Sequence, residues 1–211
     1  MYLHEVAGVF YRLHPGNPAT GQPWPAVNFS RQGRSRFDPE GGVGTLYLGD
    51  SLAGAVLETF GDRLEPAGSL GRALSKPLLG EWFVSLISVP EVMPVAASGT
   101  NLSKLGVDLQ LVTGEHAVAR EWALRFMEHP AHAAGIWHPS RHDDTRRNLA
   151  LFQRSGLLPA QEEAALVGSA ANLTAFARRE SGPLLYGPPV RLLDHPDLMA
   201  ALVELEIAIV P

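Results

Sequence analysis

The chain has 211 residues, 45% of them hydrophobic, 18% charged and 8% aromatic. That length predicts one domain, and that balance buries a sizeable core and excludes an intrinsically disordered chain. The net charge of −5 argues against a protein that grips nucleic acid by its overall field. The absence of cysteine removes disulfides, thiolate zinc sites and cysteine nucleophiles. No apolar run reaches the 18 or so residues that cross a bilayer. The opening residues carry His4 and Glu5 where a signal peptide needs a basic and then an apolar stretch. The expectation is a soluble, cytoplasmic protein.

In chain order, Val6 to Leu13 reads as a first strand, ended by His14-Pro15-Gly16. From Gly16 to Gly44 the chain is rich in Gly, Pro, Ser and Arg and has no sustained period. A loop of that length in a compact domain is usually functional or disordered. Thr45 to Leu48 is a short strand. Asp50-Ser51 then offers N-cap residues for a helix over Leu52 to Phe60, closed by Gly61. Trp82 to Val89 is a strand stopped by Pro90, and a short helix is predicted near Asn101 to Leu105. Thr113-Gly114 opens a helix over Glu115 to Glu128, with Ala119, Trp122, Ala123 and Phe126 as its apolar stripe. Ala134 to Trp137 is a strand leading into a turn at His138-Pro139-Ser140. Asn148 to Phe152 is a short apolar segment, and Leu173 to Arg179 a strand or helix. His195-Pro196-Asp197 starts a helix to Glu204, and Leu205 to Val210 is a final strand; this C-terminal pair reads as core. These elements do not alternate as regular βα pairs, and no glycine fingerprint follows the first strand, so the reading is α+β and not a dinucleotide-binding Rossmann domain.

Several familiar chemistries are missing. There is no HExxH, so the pairs His129/His132 and His138/His142 read as histidines in turns. No G-x-S-x-G elbow and no Gly-Lys-Ser/Thr phosphate loop occur. Gly41-Gly42-Val43-Gly44 precedes a strand instead of opening a helix, so it reads as a turn. The anomaly is Glu58, a lone carboxylate in a helix otherwise made of Leu52, Ala53, Ala55, Val56, Leu57 and Phe60. It is either that helix's solvent-facing position or a buried functional group. Arg36 taken alone reads as a loop arginine, and Tyr47, between Leu46 and Leu48, as a strand residue.

Taken together, Tyr11-Arg12, Gly33 to Phe37 with Arg36, Leu46-Tyr47-Leu48, Glu58, Gly135-Ile136 with Pro139-Ser140, and Asn148 to Phe152 resemble the RES-domain family. Arg36, Tyr47 and Glu58 stand eleven residues apart, in that family's Arg…Tyr…Glu order. The family contains toxins of bacterial toxin–antitoxin modules. The resemblance implies a single α+β domain with an ADP-ribosyltransferase-like mixed β core and flanking helices. It also implies cleavage of NAD at the nicotinamide–ribose bond, with no metal. Arg12 and Arg36 would hold the dinucleotide's phosphates, Tyr47 would stack on nicotinamide or ribose, Glu58 would be the catalytic acidic residue, and Ser140 would line the pocket. Trp137-His138 departs from the family pattern, where a small apolar residue and a tyrosine are expected.

The chemistry accords with these residue types. Arginine meets phosphate as a rigid two-pronged fork, which lysine cannot do. Cleavage of the N-glycosidic bond passes through an oxocarbenium-like ribose, which a carboxylate stabilises. The nucleophile stays open: water makes a glycohydrolase, inorganic phosphate a phosphorylase, a protein side chain an ADP-ribosyltransferase. A catalytically silent binding module is the alternative of a different class. The implied partner is an antitoxin with a DNA-binding helix-turn-helix, so that DNA contact belongs to the partner, and a homodimer stays open. Arg34 lies two residues from Arg36, so in an extended loop both point the same way.

Overall fold

The computed structural model describes residues 2–66, 71–97, 100–104, 106, 108, 110–154 and 184–211. The segment 173–179 lies outside them. The chain begins with β1 (Val6–Pro15), then the long loop, then β2 (Thr45–Gly49) and α1 (Leu52–Phe60). It continues through β3 (Glu65–Pro66), β4 (Arg72–Ser75), α2 (Lys76–Gly80), β5 (Trp82–Val92) and β6 (Val95–Ala96). Next come α3 (Thr100–Lys104), α4 (Gln110–Thr113), α5 (His116–Glu128), β7 (Gly135–Pro139) and β8 (Arg147–Phe152). The C-terminal part holds β9 (Leu185–Tyr186), β10 (Val190–Arg191), α6 (Leu198–Glu204) and β11 (Ile207–Val210). The main sheet has the order β10-β5-β1-β2-β8-β7-β6, with β9 also pairing β5; a smaller sheet has the order β11-β4-β3. Within the main sheet β6 and β7 run parallel and the other pairs antiparallel. The architecture is the mixed α+β arrangement expected from the sequence.

β5 is buried along nearly its whole length, because β1 covers one edge while β9 and β10 pair with the other. It does not stop at Pro90. Its register with β1 shifts between Val6 and Gly8, opposite Val89 and Val92, so the proline falls at a bulge and costs no ladder hydrogen bond. β4 and α2, which the sequence reading missed, form where β4 pairs parallel with β11.

α1 forms over the expected residues, with Ser51 Oγ accepting the Gly54 N–H at 3.1 Å. Gly61 closes the helix as expected, in a right-handed conformation (φ −51°) that runs on into a 3₁₀ turn. Leu52, Val56, Leu57 and Phe60 bury against Leu198, Ala201 and Leu202 of α6, which confirms the C-terminal helix as core. Each such large side chain stabilises the packing by about 1.5–3 kcal/mol. α4 and α5 cover a second cluster with Ile136, Ala150 and Phe152. α5 starts after Glu115, because Thr113 belongs to α4. α6 begins at Leu198, after a 3₁₀ turn over Leu192–Asp194, and β11 at Ile207.

The predicted turn at His138-Pro139-Ser140 lies further along the chain. His138 pairs with Asn148 and Pro139 with Arg147, so both belong to β7, and the turn runs from Ser140 to Arg146.

Candidate functional site

Arg12, Arg34, Arg36, Tyr47 and Glu58 come together on one cavity of about 430 Å³, reached from β1, the long loop, β2 and α1. Arg141 lines it too. Four guanidinium groups therefore face one carboxylate, which makes a cationic cleft in an acidic protein.

Arg12 rises from β1 and donates Nη1–H to the Ala26 carbonyl at 2.7 Å. Burial lowers its pKa to about 10, which leaves it charged at neutral pH. Arg36 donates to the Gly114 carbonyl at 2.6 Å, just before α5. Burial lowers its pKa, with repulsion from Arg141 second and attraction to Glu58 acting the other way. Neither arginine has a carboxylate ion-pair partner among the described residues. Arg141 does, in Asp62.

The loop that carries Arg36 has no regular structure, yet it is tied down on several sides. The Phe37 N–H donates to the Tyr47 hydroxyl at 2.8 Å, and Thr45 Oγ1 donates to the Phe37 carbonyl at 2.7 Å. Ser30 donates to the buried Asp38 at 2.7 Å, and Arg120 holds the Gly33 carbonyl. Tyr47 thus supports the loop with its hydroxyl while its side chain lines the cavity. Burial raises its pKa well above the ordinary phenol value, so it stays neutral.

Glu58 stands in the last turn of α1, half-buried, and lines the cavity. Its Oε2 accepts from Asn148 Nδ2 at 2.9 Å and from Ser140 Oγ at 3.2 Å. Ser140 therefore reaches the site through Glu58. It lines a neighbouring cavity of about 610 Å³ with Arg141, His142, Asp143 and Glu204, and not the one that holds Arg12 and Arg36. Two further residues were missed. Asn148, 3% exposed, is the buried polar side chain of β8, ahead of the apolar run Leu149 to Phe152. His116 lines the cavity from the start of α5, its pKa lowered by burial and then by Arg36. His138 is buried in edge contact with Phe37 at 4.9 Å between ring centres, and burial lowers its pKa.

Residues 9–167 match the RES domain family. The chain belongs to the RES-domain family. No curated protein matches its sequence. Among solved structures, a chain of the M. tuberculosis MbcT–MbcA toxin–antitoxin complex superposes on this RES domain with a TM-score of 0.52. Identity is 16%, over 72% of this chain and 80% of that one, a likeness of fold. Among the described residues no helix is long and apolar enough to cross a membrane.

Proposed function

We propose that this RES domain binds NAD in the cationic cavity and cleaves the nicotinamide–ribose bond, acting as the toxin of a toxin–antitoxin pair. The observation that carries the reading is the convergence of Arg12, Arg36, Tyr47 and Glu58 on one cleft. Arg12 and Arg36, charged and without carboxylate partners among the described residues, clamp the two phosphates. Tyr47 presents a flat face to nicotinamide or ribose. Glu58 stabilises the positive charge that develops on the ribose as neutral nicotinamide leaves, and aligns the incoming nucleophile. Ser140 steadies that carboxylate.

The fold shared with a chain of a toxin–antitoxin complex supports a cognate antitoxin as partner. A helix-turn-helix in that partner would make any contact to DNA, and the pair would act in the cytoplasm, where depletion of NAD is toxic. A second reading is transfer of ADP-ribose to a protein side chain. It has one observation in its favour, the larger cavity lined by Ser140, whose hydroxyl binds Glu58, and by Arg141.

The test is product analysis after the purified protein meets NAD, with and without inorganic phosphate and with candidate protein acceptors. Free ADP-ribose identifies water as nucleophile, a phosphorylated ADP-ribose identifies phosphate, and protein-bound label identifies transfer. NAD that binds and is recovered intact under all conditions overturns the enzymatic reading in favour of a binding module.

A further inference from the structure

Glu58 is a carboxylate in an awkward place. It sits in the last turn of α1, where the helix's carbonyl end carries partial negative charge. Two donors nevertheless converge on a single oxygen, Oε2: the Asn148 amide at 2.9 Å and the Ser140 hydroxyl at 3.2 Å. Oε1 receives no hydrogen bond among the described residues, and the side chain lines the cationic cavity.

Among the described residues Asn148 has no comparable tie elsewhere. Its Oδ1 is buried without a partner, and so is Nε2 of His138, the residue paired with it across β7 and β8. A buried amide oxygen left unpaired is a loss to the fold, which a leucine of similar size would not incur. Among the described residues the one side-chain hydrogen bond that Asn148 makes is to Glu58. On its other side Asn148 pairs with Gly49 of β2. A Cβ at Gly49 would lie 2.8 Å from the Ala55 backbone nitrogen, so the bare glycine lets α1 lie close to the sheet. Ala55 is one helical turn before Glu58, and that close approach brings the carboxylate within reach of a short amide side chain.

We infer that Asn148 is a positioning residue for Glu58: with Ser140 it pins one carboxylate oxygen and so turns the other toward the substrate. This rests on the reading of Glu58 as the carboxylate that assists NAD cleavage. A carboxylate held by one hydrogen bond instead of two swings about its terminal torsion, and the alignment that speeds the reaction is diluted. Among the described residues Asn148 hydrogen-bonds to neither arginine of the proposed phosphate clamp, so its removal acts on turnover and not on binding.

The experiment measures steady-state nicotinamide release and thermal melting for wild type, Glu58→Gln, Asn148→Leu and the double variant. The expected result for Asn148→Leu is a kcat lower by roughly tenfold to a hundredfold. KM for NAD stays at the wild-type value, and the melting temperature is equal to or above that of wild type. In the Glu58→Gln background Asn148→Leu has no further effect. A kcat at the wild-type level, a loss of the same size in both backgrounds, or a fall in melting temperature that accounts for the lost activity overturns the assignment. A wild type that releases no nicotinamide, or a Glu58→Gln variant with full activity, overturns the reading of Glu58 itself and the assignment with it. If Asn148→Leu does not fold, Asn148→Ala, which also removes the donor, is judged by the same kcat, KM and non-additivity criteria.

Discussion

Gly49→Ala isolates the placement of α1 from the chemistry of any site residue. The added Cβ would lie 2.8 Å from Ala55 N, 3.1 Å from its Cα and 3.2 Å from its Cβ, where ordinary contact begins at 3.4 Å. Two of the three obstacles are helix backbone, so relief comes only by moving α1 away from β2 by about 0.6 Å. Carried one turn along the helix, that displacement stretches the 2.9 Å bond between Asn148 and Glu58 to the edge of hydrogen-bonding range. Overpacking of this kind costs about 1–3 kcal/mol, and a misplacement approaching 1 Å lowers turnover by up to about 10²-fold. The assay is nicotinamide release with NAD varied, beside a thermal melt. The expected variant folds, melts several degrees lower, and loses roughly tenfold or more in kcat with little change in KM. Gly80→Ala is the control, because its Cβ meets only the flexible tip of Leu193 at 3.6 Å. Wild-type kcat and melting temperature in Gly49→Ala would refute the claim that close helix approach sets the position of Glu58.

Two other expectations concern the cavity walls. Tyr47→Phe removes the acceptor of the Phe37 N–H, so stability falls by about 1–3 kcal/mol and KM for NAD rises as the loop of Arg36 loosens; denaturant titration and steady-state kinetics check both. His14 is 2% exposed, bonded to Ser85 at 2.9 Å, and burial, with Arg12 second, lowers its pKa to about 4. Its imidazole is neutral in both states above the unfolded value near 6.5, and below it the unfolded chain takes up a proton that the folded one does not. Stability is therefore complete above pH 6.5 and declines as pH falls toward 4, by about 2 kcal/mol at pH 5. Denaturant midpoints at pH 7 and pH 5 measure this, and His14→Gln makes the decline shallower.

Much of this frame is written locally. Ser51 and the apolar spacing after it announce α1, and Glu58 stands out as its only charged side chain. The residues whose placement depends on distant strands are the ones the sequence conceals. Pro90 is a local stop signal, yet a bulge in the pairing with another strand, between its Val6 and Gly8, carries β5 past it. His138-Pro139 reads as a turn until β8 pairs with it. Arg72 to Ser75 carries no strand pattern of its own and acquires one from β11, at the far end of the chain. Site residues divide in the same way. Arg36, Tyr47 and Glu58 keep the order and spacing that carry the resemblance to the family, and Arg12 enters through the same resemblance, whereas Asn148 gains its role only where Gly49, α1 and β8 meet. Ser140 was legible as a site residue, but its cavity was not, because the side of Glu58 it approaches depends on where β7 ends.

The most direct measurement is the rate of nicotinamide release at saturating NAD for wild type and Glu58→Ala, with NAD binding measured for both. A well-placed electrostatic group contributes about 10²–10³ in rate, so the variant is expected to bind NAD as wild type does and to turn it over that much more slowly. Equal rates in the two proteins would contradict the account, because the carboxylate that the fold holds beside the cationic cavity would then take no part in cleaving the bond.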